Sequence, residues 1–343
     1  MVLSTNLVVA GRSQVGAKSF TRQPMTAHII CVTFLGLSGS DSKSSSGLDR
    51  LDMRLTEKEI DAGRLRSVQT IGDGRTIASL SSKRSALTCG AYWLRFAENK
   101  ADLEAAFRLR YLVFNLELHE GLESAHQTGY DTDQFDKACD HLIVEHRPSR
   151  QVVGTYRLQT GRVAGSNLGY YSEREFDFSP YEPLRNSLVE LGRASIHRDH
   201  RSFEVLALLW RGIAMYAIER KACYLIGCSS LTSQCLQEGS DMYTSLLEFL
   251  AEPAFRTGPQ THFCFPISAP TPRAAFVRPP KLLRAYLSIG AKICGPPALD
   301  REFRTIDFLT LLDLQRISRT ARARFLARNR GLTCNPKARA DSL

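Results

Sequence analysis

The tightest constraint on this chain is the order in which two periodicities alternate from Tyr92 onward. Tyr92-Trp93-Leu94-Arg95-Phe96 alternates apolar and polar side chains, the signature of a half-buried strand. Asn99 then offers an N-cap, and Leu103, Ala106, Phe107, Arg110, Val113 and Phe114 recur at helical spacing behind it. His141–Val144 and Val152–Leu158 read as strands joined by a turn at Pro148-Ser149-Arg150. A further strand runs over Ser187–His197. The amphipathic helix that follows carries Val205, Leu206, Leu209, Trp210, Ile213, Ala214 and Ala217 on one face. Tyr224–Cys228 is strand-like, 232–250 reads as a helix, Leu282–Ile289 resumes after a Pro-rich stretch, and a final helix is expected to start near Asp307. Such an order predicts an α+β or α/β domain, with helices on both faces of a central sheet.

Residues 1–90 show no sustained period and are rich in Ser, Thr and Gly, so they are expected to form a poorly ordered extension, with a brief helical possibility at Leu55–Leu65. Met25 and Met53 each offer an alternative start. The domain is then placed at 91–330, with a flexible tail at 331–343. The apolar run Ile29–Leu37 is too short to span a bilayer, and no secretory leader pattern is evident. The nine cysteines are scattered and include no C-x-x-C pair, which speaks against a zinc site or a disulfide framework and for a reducing cytosol. Lys and Arg outnumber Asp and Glu by 45 to 35, a net charge of +10. That balance favours anionic partners: nucleic acid, anionic lipid or an acidic carrier protein. A non-enzymatic basic binding module has only this charge in its favour, because no aromatic-basic RNA-binding motif is present.

Several segments hold residues suited to chemistry, each with a plain structural alternative. Arg110, Phe114 and Glu117 share a helix face; the bland reading is a core aromatic beside a solvated ion pair. Asp133, Asp136, Asp140 and His141 gather where a loop enters a strand, and suit a cationic substrate or a mere acidic turn. Arg157 lies on the next strand. Glu190 and Arg193 should face opposite ways on a regular strand, but Gly192 suggests a bulge that realigns them. Such a bulge would also free N–H groups to hold a thioester carbonyl as it becomes an oxyanion; the alternative is a sheet salt bridge. Arg198, Arg201 and Ser202 precede a helix start, where N–H groups and arginines can bind a phosphate, or form an ordinary charged loop.

Taken together and in order, RLRYLVF, DTDQFDKACDHLIV, VVGTYRL, GYYSEREFDFS, LVELGRASIHRDHR, LLWRGIA, YLIGCSS and LLRAYLSIGAKICGPPALDREFRTIDFLTLLDL resemble the ornithine acyl-carrier-protein N-acyltransferases, a hemolysin-like branch of the GNAT proteins. The resemblance covers about Trp93 to Phe325. It implies a GNAT-like α+β fold with a mixed, mostly antiparallel sheet. It also implies transfer of a (3-hydroxy)fatty acyl group from the 4'-phosphopantetheine thioester of acyl carrier protein to the α-amine of L-ornithine, giving lyso-ornithine lipid. No metal, bound cofactor or nucleic acid is implied. The pantetheine arm would enter an opening between the strand around Glu190 and that at Tyr224-Leu225-Ile226. Glu190 is the first choice of general base and Glu117 the second, with Arg193 beside them. Arg110, Phe114, His141 and Arg157 would line the substrate site, Asp133, Asp136 and Asp140 would hold the cationic part of the amino acid, and Arg198, Arg201, Ser202 and Arg211 would meet the carrier and its phosphopantetheine.

More distantly the chain is similar to acyl-homoserine-lactone synthases and long-chain N-acyl amino acid synthases, which supply the alternative enzymatic reading. The tryptophan that the former carry after the Phe is missing, Leu118, His119 and Glu120 standing there, which argues against S-adenosylmethionine as acceptor. The basic segment from Arg316 to Arg330 suits an anionic membrane or a solvated terminal helix, for a cytoplasmic protein at the inner membrane face.

Overall fold

A computed structural model describes residues 87–272, 274 and 277–317. The chain enters as a hairpin of β1 (Leu87–Cys89) and β2 (Tyr92–Phe96). Helix α1 (Lys100–Tyr111) follows, capped by Asn99, whose side chain accepts from the Asp102 N–H. One turn of π-helix (Leu112–Glu117) and the short α2 (Ala125–Thr128) lead to the antiparallel pair β3 (Asp140–His146) and β4 (Gln151–Thr160). After α3 (Gly161–Gly165) come β5 (Leu188–Ile196), α4 (Phe203–Glu219) and β6 (Tyr224–Leu231). The remainder is α5 (Leu236–Ser245), α6 (Lys281–Ser288), β7 (Lys292–Ile293), β8 (Ala298–Asp300) and β9 (Thr305–Asp313).

The strands form one sheet in the order β1-β2-β3-β4-β5-β6-β9-β7, with β8 also on β9. Among the described strands only β5 and β6 pair in parallel, as a strand–helix–strand crossover through α4 requires. The sheet is therefore mixed and mostly antiparallel, as the resemblance implies. One face buries Leu142, Val144, Tyr156 and Leu312 under Leu206, Leu209 and Ile213 of α4. Gly212 lets that helix sit close, since a Cβ there would lie 2.7 Å from Leu142 and 2.8 Å from Leu94. Side chains alternate along a strand, so Arg157 points to the other face, where α1 and the residues 170–178 lie.

Several expectations need correction. No helix starts at Asp307: Thr305–Asp313 is the strand β9, paired with β6 along its whole length from Tyr224↔Asp313 to Leu231↔Ile306. A short apolar run such as Phe308–Leu312 suits a buried strand and a buried helix equally by period, and only the neighbouring β6 decides. The helix expected over 232–250 is confined to Leu236–Ser245. Among the described residues Cys89, Cys139, Cys228, Cys235, Cys264 and Cys294 are free thiols. The extension expected over 1–90 lies outside the described residues as far as residue 86, with its helical possibility at Leu55–Leu65, but its last residues belong to the sheet, since Leu87–Cys89 pairs with β2. The tail and the basic segment beyond Ile317 also lie outside the described residues. Among the described residues no helix is long and apolar enough to cross a membrane.

Candidate active site

The site begins where two parallel strands part. β5 and β6 pair at Leu188↔Tyr224, Val189↔Leu225 and Glu190↔Ile226, and no further. Gly227 is the last close approach: a Cβ there would stand 2.2 Å from the Leu191 carbonyl oxygen. Beyond it β5 stays with β4 while β6 stays with β9, and the sheet opens. β5 also carries an extra residue, because Thr155 faces Ser195 whereas Arg157 faces Gly192. The bulge that the sequence suggested at Gly192 is centred one residue later, on Arg193, whose φ is +51°. With the register shifted, Glu190 and Arg193 both line one cavity.

That cavity encloses about 160 Å³ and reaches both faces of the sheet. Tyr156 and Arg157 are adjacent on β4 and point opposite ways, yet both line it. Its apolar arm is walled by Tyr156, Trp210, Leu225, Leu283, Tyr286 and Leu312, on the α4 side. Its polar arm holds Glu120, Arg157, Tyr171, Arg193, Asp300 and Asp307. Glu190 stands at the last paired rung between them. Its Oε1 accepts from the Ser172 N–H (2.7 Å) and Oγ (2.6 Å), and its Oε2 from the Tyr171 N–H at 2.9 Å. Burial raises the Glu190 carboxyl above its ordinary pKa, against those bonds and the pull of Arg157.

Behind the polar wall lies a buried ionic lattice. Arg110, with no exposed surface, donates from Nε to Asp131 (2.7 Å) and from Nη1 and Nη2 to Asp136 at 2.7 and 3.1 Å. Arg157 reaches Asp133 (2.7 Å) and Asp136 (3.1 Å), and Arg193 reaches Asp131 (3.3 Å) and Asp133 (2.8 Å). Burial works to raise the Asp133 carboxyl, but Arg157 and Arg193 outweigh it and hold it well below the usual range. Three arginines thus meet three aspartates. Asp131 belongs to the DTDQFDK run but was not singled out in the sequence, since nothing there shows which of its three acids is buried.

A second carboxylate group escaped the sequence reading altogether. Glu175, Asp300 and Asp307 come from distant segments, and one oxygen of each lies within 4.8 Å of the others. Burial, then Asp307 and Asp300, push Glu175 well above its ordinary pKa. Asp307 is raised to about 6 by burial, with Asp300 adding to it. Glu120 takes a bond from Thr232 at 2.8 Å and is pushed up to about 7, mainly by burial. A raised carboxyl pKa means that the folded state binds the proton more tightly than the unfolded one. Its stabilising effect is full below pH 4.5 and is lost as pH rises to about 7. Glu120→Gln is therefore expected to gain up to about 3 kcal/mol at pH 8 and nothing at pH 4. Urea unfolding of both proteins at the two pH values checks this, and an equal gain at both would refute it.

Of the residues proposed from sequence, Phe114, Arg157, Glu190 and Arg193 line the cavity, and Arg110, Asp133 and Asp136 support its wall. The rest lie elsewhere. Glu117 is clamped by Arg201 at 2.5 and 2.7 Å. The Ser202 hydroxyl caps α4 through the Val205 N–H. Arg198 is exposed near Asp199, and Arg211 lies along α4. Asp140 accepts from the Tyr216 hydroxyl at 2.8 Å. His141 is buried with Nε2 3.2 Å from the Asp136 carbonyl oxygen. Glu117 and Asp140 meet partners from elements distant in sequence, whereas Ser202, Arg198 and His141 meet near neighbours in the chain.

A family model described as an acetyltransferase (GNAT) domain matches residues 109–211. The L-ornithine N(alpha)-acyltransferase of Agrobacterium fabrum is 30% identical over 252 residues, spanning 67% of this chain and 83% of that protein. Its counterpart from Brucella abortus is 31% identical over 249 residues, spanning 67% and 86%. Among solved structures, the N-acyl amino acid synthase FeeM from uncultured soil microbes is 12% identical, with a TM-score of 0.42 over 68% of this chain and 96% of that one.

Proposed function

The chain belongs to the L-ornithine N(alpha)-acyltransferase family and is an acyltransferase of the GNAT type, and on that premise we propose that it moves a fatty acyl group from the thioester of acyl carrier protein to the α-amine of L-ornithine. The product would be a lyso-ornithine lipid. The observation that carries this reading is the single cavity through the parted sheet, apolar on one side, polar on the other, with a buried carboxylate at the junction. An aliphatic chain needs the first arm, a zwitterionic amino acid the second, and the thioester carbonyl must lie where they meet.

In this reading Glu190 removes the proton from the attacking amine, and its raised pKa brings it closer to the task. The amine nitrogen bonds to the carbonyl carbon, and the oxyanion is held by backbone N–H groups along Gly192–Ala194. Collapse breaks the carbon–sulfur bond, and the pantetheine thiolate leaves and is protonated. Arg157 and Arg193 face the cavity and suit the α-carboxylate. The lattice of Asp131, Asp133 and Asp136 is charge-balanced by its arginines, so it serves as scaffold instead of a cation site. Arg198 and Arg211 remain the docking residues for the acidic carrier.

The test is thiol release from acyl carrier protein loaded with a 3-hydroxy fatty acid, and from the matching coenzyme A thioester, on addition of ornithine or each common amino acid. Release that depends on ornithine and the carrier-bound donor is expected, with fragmentation mass spectrometry placing the acyl group on the α-nitrogen. No release with any amine would sink the proposal; equal release from coenzyme A would remove the carrier from it.

A further inference from the structure

The polar arm holds more negative charge than acyl transfer to a single amine uses. Glu190 serves the reacting nitrogen. Beyond it, Glu175, Asp300 and Asp307 converge with 1%, 2% and 3% exposure, and the nearby Arg110, Arg157 and Arg193 form their ion pairs with Asp131, Asp133 and Asp136 instead. Three buried carboxylates without a cation among them are costly: Glu175 Oε1 and Asp307 Oδ1 accept from no N–H or hydroxyl group, and a proton shared between Glu175 and Asp307 relieves the pair only in part. Asp307 and Asp300 line the cavity, so the unmet oxygen belongs to a wall that a ligand reaches. Tyr171 sets the spacing, its N–H on Glu190 at 2.9 Å and its hydroxyl 3.5 Å from Asp300. The base and the acidic group thus stand about one tyrosine apart, a span suited to a short diamine with one nitrogen at each end.

We propose that Asp307, with Asp300 and Glu175, forms the subsite for the second, non-reacting ammonium of the acceptor. The inference rests on the function proposed above and deepens it: the family's diamino acid is selected by charge at this end of the cavity. Asp307 Oδ1 accepts from the ammonium directly, Asp300 Oδ2 adds a second acceptor, and Glu175 behind them holds its proton until the arriving cation favours its ionised form. Glu120, on the same wall, adds field. Selectivity follows from what the pocket loses without the cation, since an acceptor with a methyl in place of the ammonium leaves the carboxylates unmet. A divalent cation held by the same three oxygens is the competing occupant.

The experiment compares ornithine with norvaline, its analogue lacking the side-chain amine, in wild type, Asp307→Asn and Asp300→Asn. The ratio of kcat/KM for ornithine over norvaline is expected to fall roughly 10- to 100-fold in Asp307→Asn, the size of a lost charge-assisted bond. An unchanged ratio overturns the subsite. So does loss of the wild-type ornithine preference on EDTA treatment with recovery on adding Mg²⁺ or Ca²⁺, which assigns the carboxylates to a metal. Thermal stabilisation by each amino acid, measured without acyl donor, provides an arm independent of turnover. Ornithine should raise Tm more than norvaline in wild type, and the difference should vanish in Asp307→Asn; equal shifts in wild type count against the subsite. Wild-type protein that acylates no amine, yet shows this binding difference, would reject the acyl-transfer reading and leave the ammonium subsite standing.

Discussion

Glu190→Gln is expected to lower kcat for acyl transfer roughly 10²- to 10⁴-fold while KM for the acceptor changes little, the loss typical of a removed general base. The substitution keeps the side chain's shape. Its oxygen can still accept from Ser172, and the neighbouring strand pairing at Ile226 is a backbone matter. What disappears is a proton acceptor at the junction of the two cavity arms. Melting temperature and circular dichroism must be measured alongside turnover, because with its oxygen on Ser172 the new amide sets its NH2 against the Tyr171 N–H, and turning it over only moves the clash to the Ser172 N–H. Full turnover in a folded variant would falsify the assignment. The rate should also rise with pH until Glu190 is ionised, and that limb should be absent in the residual activity of the variant.

The largest stability change is expected from Arg110→Met, which keeps most of the buried stem and removes the charge. Asp131 and Asp136 would be left facing Arg157 and Arg193 alone. Removing one partner of a buried ion pair costs about 3–5 kcal/mol, since the orphaned carboxylate pays its desolvation unrelieved. Urea denaturation at neutral pH measures it, and a loss below about 1 kcal/mol would show that the lattice is replaceable. Arg110→Lys keeps the charge but not the fork that reaches both aspartates, so it should fall between. Any activity change in that variant is expected to act through Arg157, which shares Asp136 with Arg110 and lines the cavity.

Much of the fold could be read locally. The Asn99 cap, the strands at Tyr92–Phe96, Asp140–His146 and Gln151–Thr160, and the apolar face of α4 all express side-chain period or capping chemistry confined to a few residues. The bulge near Gly192 was legible for the same reason, although its left-handed residue proved to be Arg193, held by Asp131, Asp133 and the ring of Phe303 at 4.0 Å. β9 was not legible as a strand, because its run of buried residues has no alternation to betray it.

For the site, sequence alone determined which residue types were present and in what order, and so the family, the bulged strand and Glu190 as the carboxylate beside it. Only the tertiary structure decided which charges cancel. Asp133 and Asp136 look like a cation site in sequence, but buried arginines from α1, β4 and β5 consume them. Glu175, Asp300 and Asp307 look unremarkable, separated by up to 132 positions in the chain, yet they converge without a cation. Ionic chemistry depends on distance and burial between elements, and neither quantity is encoded within the window over which a sequence period can be read.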